Sequence, residues 1–195
     1  MSCSPRSCSK DHKAKTHSSI LQNAAVQLRA KGIHGIGVAG LMKEAGLTHG
    51  GFYAHFKSKD ALVAEACARA FEETMDLLRV AAKSPPGRTR RAAFVNAYLT
   101  PRHRDNAGHG CVIAALGTEI AREGPEARRA FTDKMEQIIE TVVATTRRRS
   151  PEAVRREAIA TMAMLVGTMV LARAVDRRGL SDEILEAGRA ALVMS

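Results

Sequence analysis

The sequence predicts an all-α protein of about nine helices, and three observations support this fold class. The chain has 195 residues, of which 45% are hydrophobic but only 4% aromatic, with no tryptophan. Such a composition favours helices packed through Ala, Leu, Val and Met over aromatic-rich strands. Apolar residues recur at helical spacing, and no segment alternates apolar and polar residues as a half-buried strand would. Proline, serine and glycine stand where helices begin and end.

The N-terminal region begins with a polar segment. Residues 1–15 are basic and have no apolar periodicity, so we expect a disordered arm there. From Thr16 onward, Ile20, Ala24 and Leu28 form one apolar stripe, and Gly32 follows as a terminating residue. This pattern predicts the first helix.

A helix-turn-helix is predicted next. The segment Val38 to Ala45 has a short apolar pattern, and Gly46 to Thr48 forms a tight turn. Thr48 is placed to cap a second short helix, Thr48 to Phe56, through its side-chain oxygen. The order of short helix, tight turn and short helix is that of a helix-turn-helix. Ser58 and Asp60 then open a long helix that runs toward Lys83 and stops before Pro85-Pro86-Gly87.

The second short helix has two distinct faces. Phe52 and Phe56 are four residues apart and are predicted to point inward, whereas His49 and Tyr53 share an outward face. Glycine inside a helix costs about 1 kcal/mol relative to alanine. A backbone that must approach phosphates or base edges closely would justify Gly50 and its neighbour.

The run from Leu41 to Leu62, LMKEAGLTHGGFYAHFKSKDAL, resembles the TetR family of bacterial transcriptional regulators. This resemblance covers about residues 16–65 and implies a DNA-contacting set. By the family's pattern, Thr48, Tyr53 and Lys59 would mainly hold phosphates. The Gly50 backbone and His49 would lie nearest base edges. His55 could instead brace the helix end. The full set is Thr48, His49, Gly50, Tyr53, His55, Lys57 and Lys59.

The chain departs from the family's pattern just before the turn. Gly37 stands where the family usually has a Ser or Thr cap, and Gly40 stands where it has an acidic residue. We expect the loss of a side-chain cap and of one phosphate contact, and hence an altered operator.

Beyond the long helix, the sequence predicts five more helical segments. Proline in a first turn, Ser150 and Ser181 as N-caps and Gly179 as a stop mark their ends. The stretch Thr100 to Gly110 has no helical pattern. The predicted domains are a helix-turn-helix domain over 16–62 and a larger helical domain over 63–195. The segments are Arg88 to Leu99, Cys111 to Arg122, Pro125 to Arg149, Pro151 to Arg178 and Ser181 to Met194.

The charge of the chain narrows the classes of function. The formal net charge is +10, with 30 Lys and Arg against 20 Asp and Glu. This excess favours a polyanionic partner. We find no catalytic serine motif, phosphate loop, nucleotide fingerprint or HExxH pair, so an enzyme is disfavoured. A sequence-neutral architectural DNA-binding protein remains an alternative, although it would not account for the large apolar helical domain.

The resemblance also implies a homodimer that binds an inverted repeat of double-stranded DNA. In this family the last two helices pair with those of the partner, and a small-molecule effector occupies the C-terminal domain. The helix from Pro151 is rich in small and flexible apolar residues, which permit close helix contact. An ordinary intramolecular core would have the same composition. These residues are Ala158, Ala160, Met162, Ala163, Gly167 and Met169.

An apolar effector cavity is predicted from aromatic and flexible residues at inward-pointing spacings, although such residues are more often ordinary core. Cys111 lies at a predicted helix start, where the dipole favours the reactive thiolate form. Arg102, Arg104 and His109 are close to it in the sequence. Cys111 is therefore a candidate redox or electrophile sensor, with a buried core cysteine as the alternative. The cavity candidates are Phe94, Tyr98, Cys111, Phe131, Met135, Ile138 and Met164.

No metal or cofactor is expected. A metal site at His103, His109 and Cys111 is a weaker alternative, because three loose ligands lack a fourth. The longest uncharged stretch, Ala158 to Ala172, is shorter than the roughly 18 residues of a membrane span. With no apolar signal region and four scattered cysteines, we expect a cytoplasmic protein without membrane contact.

Overall fold

A computed structural model describes residues 5–82, 88–143 and 150–194. Within these ranges the chain forms helices and no strand, which confirms the all-α prediction. Two 3-10 segments, His49–Ala54 and Ala107–His109, interrupt the α-helices. The α-helices are α1 Pro5–Lys31, α2 Val38–Glu44, α3 Lys59–Ala82, α4 Arg88–Tyr98, α5 Pro101–Asp105, α6 Val112–Ile120, α7 Pro125–Val143, α8 Pro151–Ala174 and α9 Arg178–Met194.

The chain divides into two compact units, residues 1–70 and 71–195. The division falls within α3, after Ala70, whereas the sequence places a domain boundary after Leu62. In the first unit, α1 packs against α2, and α2 packs against the first 3-10 segment. The core of this unit is made of fully buried apolar side chains, the largest being Ile20, Leu28, Leu41, Met42 and Leu62.

Gly46 sets the turn between α2 and the next element. Its φ of +71° is a left-handed conformation that glycine adopts without a steric penalty. The Gly46 N–H donates to the Lys43 carbonyl, and the Leu47 N–H donates to the Met42 carbonyl at 2.8 Å. This pair of hydrogen bonds is a Schellman motif, which satisfies the last carbonyls of α2 and reverses the chain.

The start of α1 differs from the sequence-based expectation. The helix begins at Pro5, whereas residues 1–15 are predicted to be a disordered arm. Proline is tolerated in a first helical turn, and no glycine or second proline interrupts the helix before Thr16. The segment therefore continues the helix although it has no apolar stripe. Residues 1–4 lie outside the described part.

In the second unit, α8 packs most extensively against α9 and also contacts α5, α6 and α7. Gly188 of α9 is buried at this crossing, where a Cβ atom would lie 2.6 Å from the Thr168 side chain. The absence of a side chain at Gly188 therefore permits the close approach of the two helices. The largest fully buried side chains of this unit include Val95, Leu99, Leu116, Ile138, Leu165, Met169 and Leu185.

Several predicted helix ends are confirmed and others are wrong. Ser58 and Ser150 cap α3 and α8 by accepting the N–H groups of Ala61 and Ala153 at 3.1 and 3.3 Å. The segment Thr100 to Gly110 is not irregular, because it contains α5 and the second 3-10 segment. Residues 83–87, with the predicted Pro-Pro-Gly stop, and residues 144–149 lie outside the described part.

The junction of α8 and α9 also corrects the sequence-based prediction. Helix α8 ends at Ala174, and α9 begins at Arg178, so Gly179 lies inside a helix. Ser181 is not an N-cap. Its hydroxyl instead donates to the Ala172 carbonyl at 2.6 Å, which ties the first turn of α9 to the last turn of α8.

Candidate nucleic-acid interface and a buried polar cluster

The segment after the turn is a 3-10 helix, His49–Ala54, and not the α-helix predicted over Thr48 to Phe56. Its hydrogen bonds span three residues, from the Gly51 N–H to the Thr48 carbonyl at 3.0 Å and from the His55 N–H to the Phe52 carbonyl at 2.9 Å. Thr48 occupies the N-cap position, but its hydroxyl accepts no capping hydrogen bond. The cap predicted at Thr48 is therefore wrong. Two adjacent glycines weaken the α-helical alternative here.

Two phenylalanines anchor this recognition segment, residues 48–59. Phe52 and Phe56 are each 2% exposed, and their ring centroids lie 5.6 Å apart in a stacked arrangement. Burial of two aromatic side chains fixes which face of the segment points away from the core. The predicted inward face is thus the one that the structure buries.

The opposite face of the recognition segment is open to solvent. The Tyr53 side chain is 70% exposed, and its ring meets Phe52 edge-on with centroids 5.3 Å apart. Within the described residues, the exposed polar side chains of this face form no hydrogen bond or ion pair, so their polar groups are available to a partner. Besides Tyr53 they are Thr48, His49, Lys57 and Lys59.

Nothing in the described part of the folded chain requires glycine at position 50. A Cβ atom there would meet nothing within 4 Å, and the backbone does not adopt a left-handed conformation. At Gly51 a Cβ atom would make ordinary contacts, 3.7 Å from Met42 Cε and 3.8 Å from Thr48 Oγ1. The packing of the first unit therefore does not account for glycine at either position.

His55 is half-buried at the end of the segment. Its ring lies 6.4 Å from that of Phe56 and 6.1 Å from that of His17 on α1. Burial first, and then the positive charges of His17 and Lys13, lower the pKa of His55. His17 stacks on Phe56 with centroids 4.6 Å apart and pairs with Glu65 at 3.1 Å. These contacts fit the bracing role that the sequence leaves open for His55.

Helix α2 has no side-chain cap at its N-terminus, as the glycine at position 37 predicts. Gly37 is the N-cap residue of α2 and provides no side-chain hydrogen bond. At the other end of α2, the Gln27 amide donates to Glu44 at 2.7 Å, which holds α2 to α1.

Six of the seven predicted cavity residues are buried or half-buried. Tyr98, Cys111 and Ile138 are buried, whereas three others are half-buried: Phe94, Phe131 and Met135. The ring of Phe94 lies 5.9 Å from that of Tyr98. Phe131 contacts Phe71 at 5.5 Å, a partner that the sequence-based set omits.

Met164 does not point inward. Its side chain is 43% exposed, because the helical phase of α8 turns Met162, Leu165 and Met169 toward the core instead. The inward placement predicted for Met164 is therefore wrong. Of the small and flexible residues predicted for helix contact between subunits, Ala158, Met162 and Met169 are buried within their own chain.

His103 organises the chain around Cys111. Its Nε2 accepts the Cys111 backbone N–H at 2.9 Å, so this nitrogen carries no proton. The other nitrogen, Nδ1, therefore donates to the Tyr98 carbonyl at 2.7 Å. Burial and the nearby charge of Arg173 lower the pKa of His103, which favours this neutral form. Because both ring nitrogens are engaged with the main chain, His103 is not available as a metal ligand.

Tyr98 and Arg173 complete this polar cluster. Burial, and then the neighbouring Cys111, raise the pKa of Tyr98 well above its ordinary value. The Tyr98 hydroxyl has no partner of ordinary hydrogen-bond geometry among the described residues. Arg173 donates to the carbonyls of His103 and Arg104 at 2.8 and 3.1 Å and pairs with no carboxylate in the described part. Cys111 itself is 1% exposed.

Arg104 joins the same region to α9. Its buried guanidinium pairs with Asp105 at 2.7 Å and Asp182 at 2.6 Å and donates to Ser181 Oγ at 2.8 Å. An open pocket of about 220 Å³ lies beside it, lined in part by Arg173 and Arg178. This polar pocket is not among the sequence-based predictions. The sequence does contain one indication of this pocket, because the charged residue Arg173 directly follows the uncharged stretch Ala158 to Ala172.

Within the described residues, no three His, Cys, Asp or Glu side chains are grouped to hold a metal ion. The alternative metal site at His103, His109 and Cys111 therefore has no support from the geometry.

The first unit presents a helix-turn-helix, which is a DNA-binding motif, and a larger helical unit follows it in the chain. Residues 20–66 match the family model described as bacterial regulatory proteins, tetR family. The match covers nearly the same segment as the sequence resemblance to this family.

Solved structures share the fold at low sequence identity. NemR from Escherichia coli, in its reduced form, is 22% identical, with a TM-score of 0.74 over 91% of this chain and 95% of that chain. A TetR regulator from Chloroflexus aurantiacus is 21% identical, with a TM-score of 0.75 over 94% and 95%. AibR in complex with isovaleryl coenzyme A and operator DNA is 15% identical, with a TM-score of 0.64 over 91% and 98%. No curated protein sequence matches this chain.

Proposed function

We propose that the protein is a ligand-responsive repressor that binds an inverted-repeat operator as a homodimer in the cytoplasm. The observation that carries the proposal is the recognition segment, because its aromatic anchors are buried while Tyr53 and His49 are exposed and have no partner in the described part. Exposed polar groups on a rigidly anchored segment suit hydrogen bonds to phosphates and base edges. Thr48, Tyr53 and Lys59 would bind phosphates.

Gly50 supports the same proposal. Neither backbone conformation nor packing requires glycine at this position, and the space beside it is open to a partner outside the chain. A glycine lets the main chain approach a phosphate or base edge more closely than any other residue. We therefore assign Gly50 and His49 to the surface nearest the bases.

DNA selection tests this proposal directly. Duplexes enriched by the protein from a random-sequence library should share an inverted repeat whose half-sites are about one helical turn apart or a multiple of it. Binding without enrichment would instead indicate a sequence-neutral architectural protein. His49→Ala should alter preference at specific bases by about 1–3 kcal/mol. Lys59→Ala should weaken binding to all sequences, whereas the exposed Arg122→Ala serves as a control in the second unit.

The dimer proposal rests on the last two helices, α8 and α9. The outer face of α8 exposes a row of apolar side chains, with Leu171 58% and Ile159 44% exposed. An exposed apolar face of this kind marks an interaction site. By length and composition alone, α8 is also long and apolar enough to cross a membrane, and 39% of its most apolar 18-residue stretch is buried inside the protein. The other exposed apolar residues on the described parts of the two helices are Ala160, Ala163, Met164, Ala174, Ala187, Ala190 and Ala191.

A second copy of the chain is the occupant that we propose for this face. A two-fold dimer doubles the bases that are read, because one recognition segment covers too few base pairs. Leu171→Glu should yield monomers by sedimentation at micromolar concentration and abolish operator binding. Ala130→Glu, at an exposed position on α7, adds the same charge elsewhere and should leave the dimer intact. An unchanged dimer in Leu171→Glu would contradict the interface.

The effector is proposed to be a small organic molecule held in the second unit. Half-buried Phe94, Phe131 and Met135 offer adaptable apolar surface. The structural neighbour AibR was solved with isovaleryl coenzyme A, which makes this compound the first probe. Its addition should lower operator affinity through a coupling of about 1–3 kcal/mol, and Phe131→Ala should reduce that response.

A second mode of regulation, through the thiol of Cys111, is favoured by one specific arrangement. The Tyr98 hydroxyl has no hydrogen-bond partner of ordinary geometry and lies beside the thiol, with the Arg173 cation nearby. Operator affinity of the wild type, Cys111→Ser and Cys67→Ser should be measured before and after N-ethylmaleimide. If Cys111 is the sensor, only Cys111→Ser loses the response. Equal responses in all three would leave the reversible effector as the better account.

A further inference from the structure

The N-terminal extension, residues 5–19, is the part of α1 that precedes the family match at residue 20. It contains four basic residues and one acidic residue, and its apolar side chains are limited to Cys8 and Ala14 apart from the initial proline. A helix that is polar on all sides has no face to bury in a core. Burial of an apolar face therefore does not explain this part of the helix.

His17 fixes where the extension lies. Its ring stacks on Phe56 with centroids 4.6 Å apart, and its Nε2 pairs with Glu65 Oε2 at 3.1 Å. Phe56 and the adjacent His55 lie near the C-terminal end of the recognition segment. The extension is thus attached at the end of the segment whose other face is exposed.

Lys13 is one helical turn before His17 and shares its face of α1. Its charge acts on His55, after burial and the charge of His17, to lower the pKa of that ring. The extension consequently brings positive charge to the end of the recognition segment, where Lys57 and Lys59 already lie.

Three exposed lysines, Lys13, Lys57 and Lys59, have no acidic partner within 4 Å in the described part of the chain. Lys15 is also exposed, but it lies on nearly the opposite face of α1 from Lys13. By contrast, Lys134 in the second unit pairs with Glu72 at 3.0 Å. Several like charges at one end of a small unit repel each other unless a polyanion lies against them.

We infer that the N-terminal extension is a second DNA-contacting element, whose Lys13 binds a backbone phosphate beside the bases that the recognition segment reads. This inference rests on the DNA binding proposed above. A helix of this length reaches about 22 Å, which is long enough to lie beside several backbone phosphates. Its contribution is independent of base sequence, because phosphates carry no sequence information.

The test uses the full chain with the substitution Lys13→Gln, which keeps helix propensity nearly unchanged. The matched control is Arg128→Gln, at an exposed position on α7, which removes the same charge. Binding to a random-sequence duplex of about 40 base pairs and to the selected operator is measured over a salt series.

The extension variant should bind both duplexes at least about tenfold more weakly at low salt. Its salt slope should be shallower by about 1.8, because the dimer loses one phosphate contact in each of its two protomers. The control should retain the slope of the wild type. Equal slopes in the two variants would overturn the inference while leaving the proposed function in place. A loss confined to the operator would also overturn it, since phosphate contacts weaken both duplexes. Failure of the wild type to bind either duplex would instead refute DNA binding itself.

Discussion

Replacing Gly50 with alanine separates what the fold requires from what DNA binding requires. In the folded chain a Cβ atom at this position meets nothing within 4 Å, and the backbone conformation is one that alanine adopts. Alanine also restricts the unfolded chain more than glycine does. We therefore expect Gly50→Ala to increase the free energy of unfolding by about 0.4–1 kcal/mol.

The same substitution should weaken operator binding. The new methyl group stands on the exposed side of the recognition segment, between the main chain and the DNA surface that it is proposed to approach. Overfilling a close contact costs about 1–3 kcal/mol. At about 1.4 kcal/mol for each factor of ten, this corresponds to a loss of roughly 5- to 150-fold in affinity.

Urea unfolding and titration of the selected operator measure the two effects on one protein preparation. Gly117→Ala is the matched control, because a Cβ atom at this position on α6 also meets open space. It should raise stability without changing affinity. Affinity of Gly50→Ala equal to that of the wild type would refute the assigned contact, and a lower stability would refute the open environment seen at Gly50.

Three further predictions concern the second unit, and urea unfolding measures each of them. Gly188→Ala should lower the free energy of unfolding by about 1–3 kcal/mol, because the new Cβ would lie 2.6 Å from Thr168; adding Thr168→Ala should recover part of that loss. Gly110→Ala should be similarly destabilising, since its Cβ would lie 2.7 Å from Arg173 Nη2 and 2.8 Å from His103 Nε2; stability equal to that of the wild type would argue against this packing. Because the pKa of His103 is lowered from its ordinary 6.5, the unfolded chain binds a proton more readily. Stability should therefore fall as the pH drops below about 6.5, with the loss complete at the folded pKa, and His103→Gln should make this fall smaller.

The helix-turn-helix was predictable in detail because its determinants are local. Apolar spacing placed Phe52 and Phe56 inside, and the turn at Gly46 followed from a residue type that alone adopts its conformation easily. The 3-10 character of the recognition segment was not predictable. Two adjacent glycines make an α-helix less favourable, but they do not specify which other backbone conformation the segment adopts once Phe52 and Phe56 are packed.

The second unit was predictable in its helices but not in its contacts. Met164 and Met162 are both flexible apolar residues on one helix, and only the packing of α8 decides which of them faces the core. The roles of Arg104 and Arg173 depend on partners about 70 residues away in sequence. No local pattern marks such pairs.

The sequence by itself determined the helical class and the face of the recognition segment that is presented, because both follow from periodicity and residue type along a short stretch. The tertiary structure alone decided the neutral form of His103 and the surroundings of Cys111. Hydrogen bonds to the Tyr98 carbonyl and the Cys111 N–H exist only once the chain between them has folded back. The apolar outer face of α8 is likewise visible only after α9 and its neighbours have covered the opposite side.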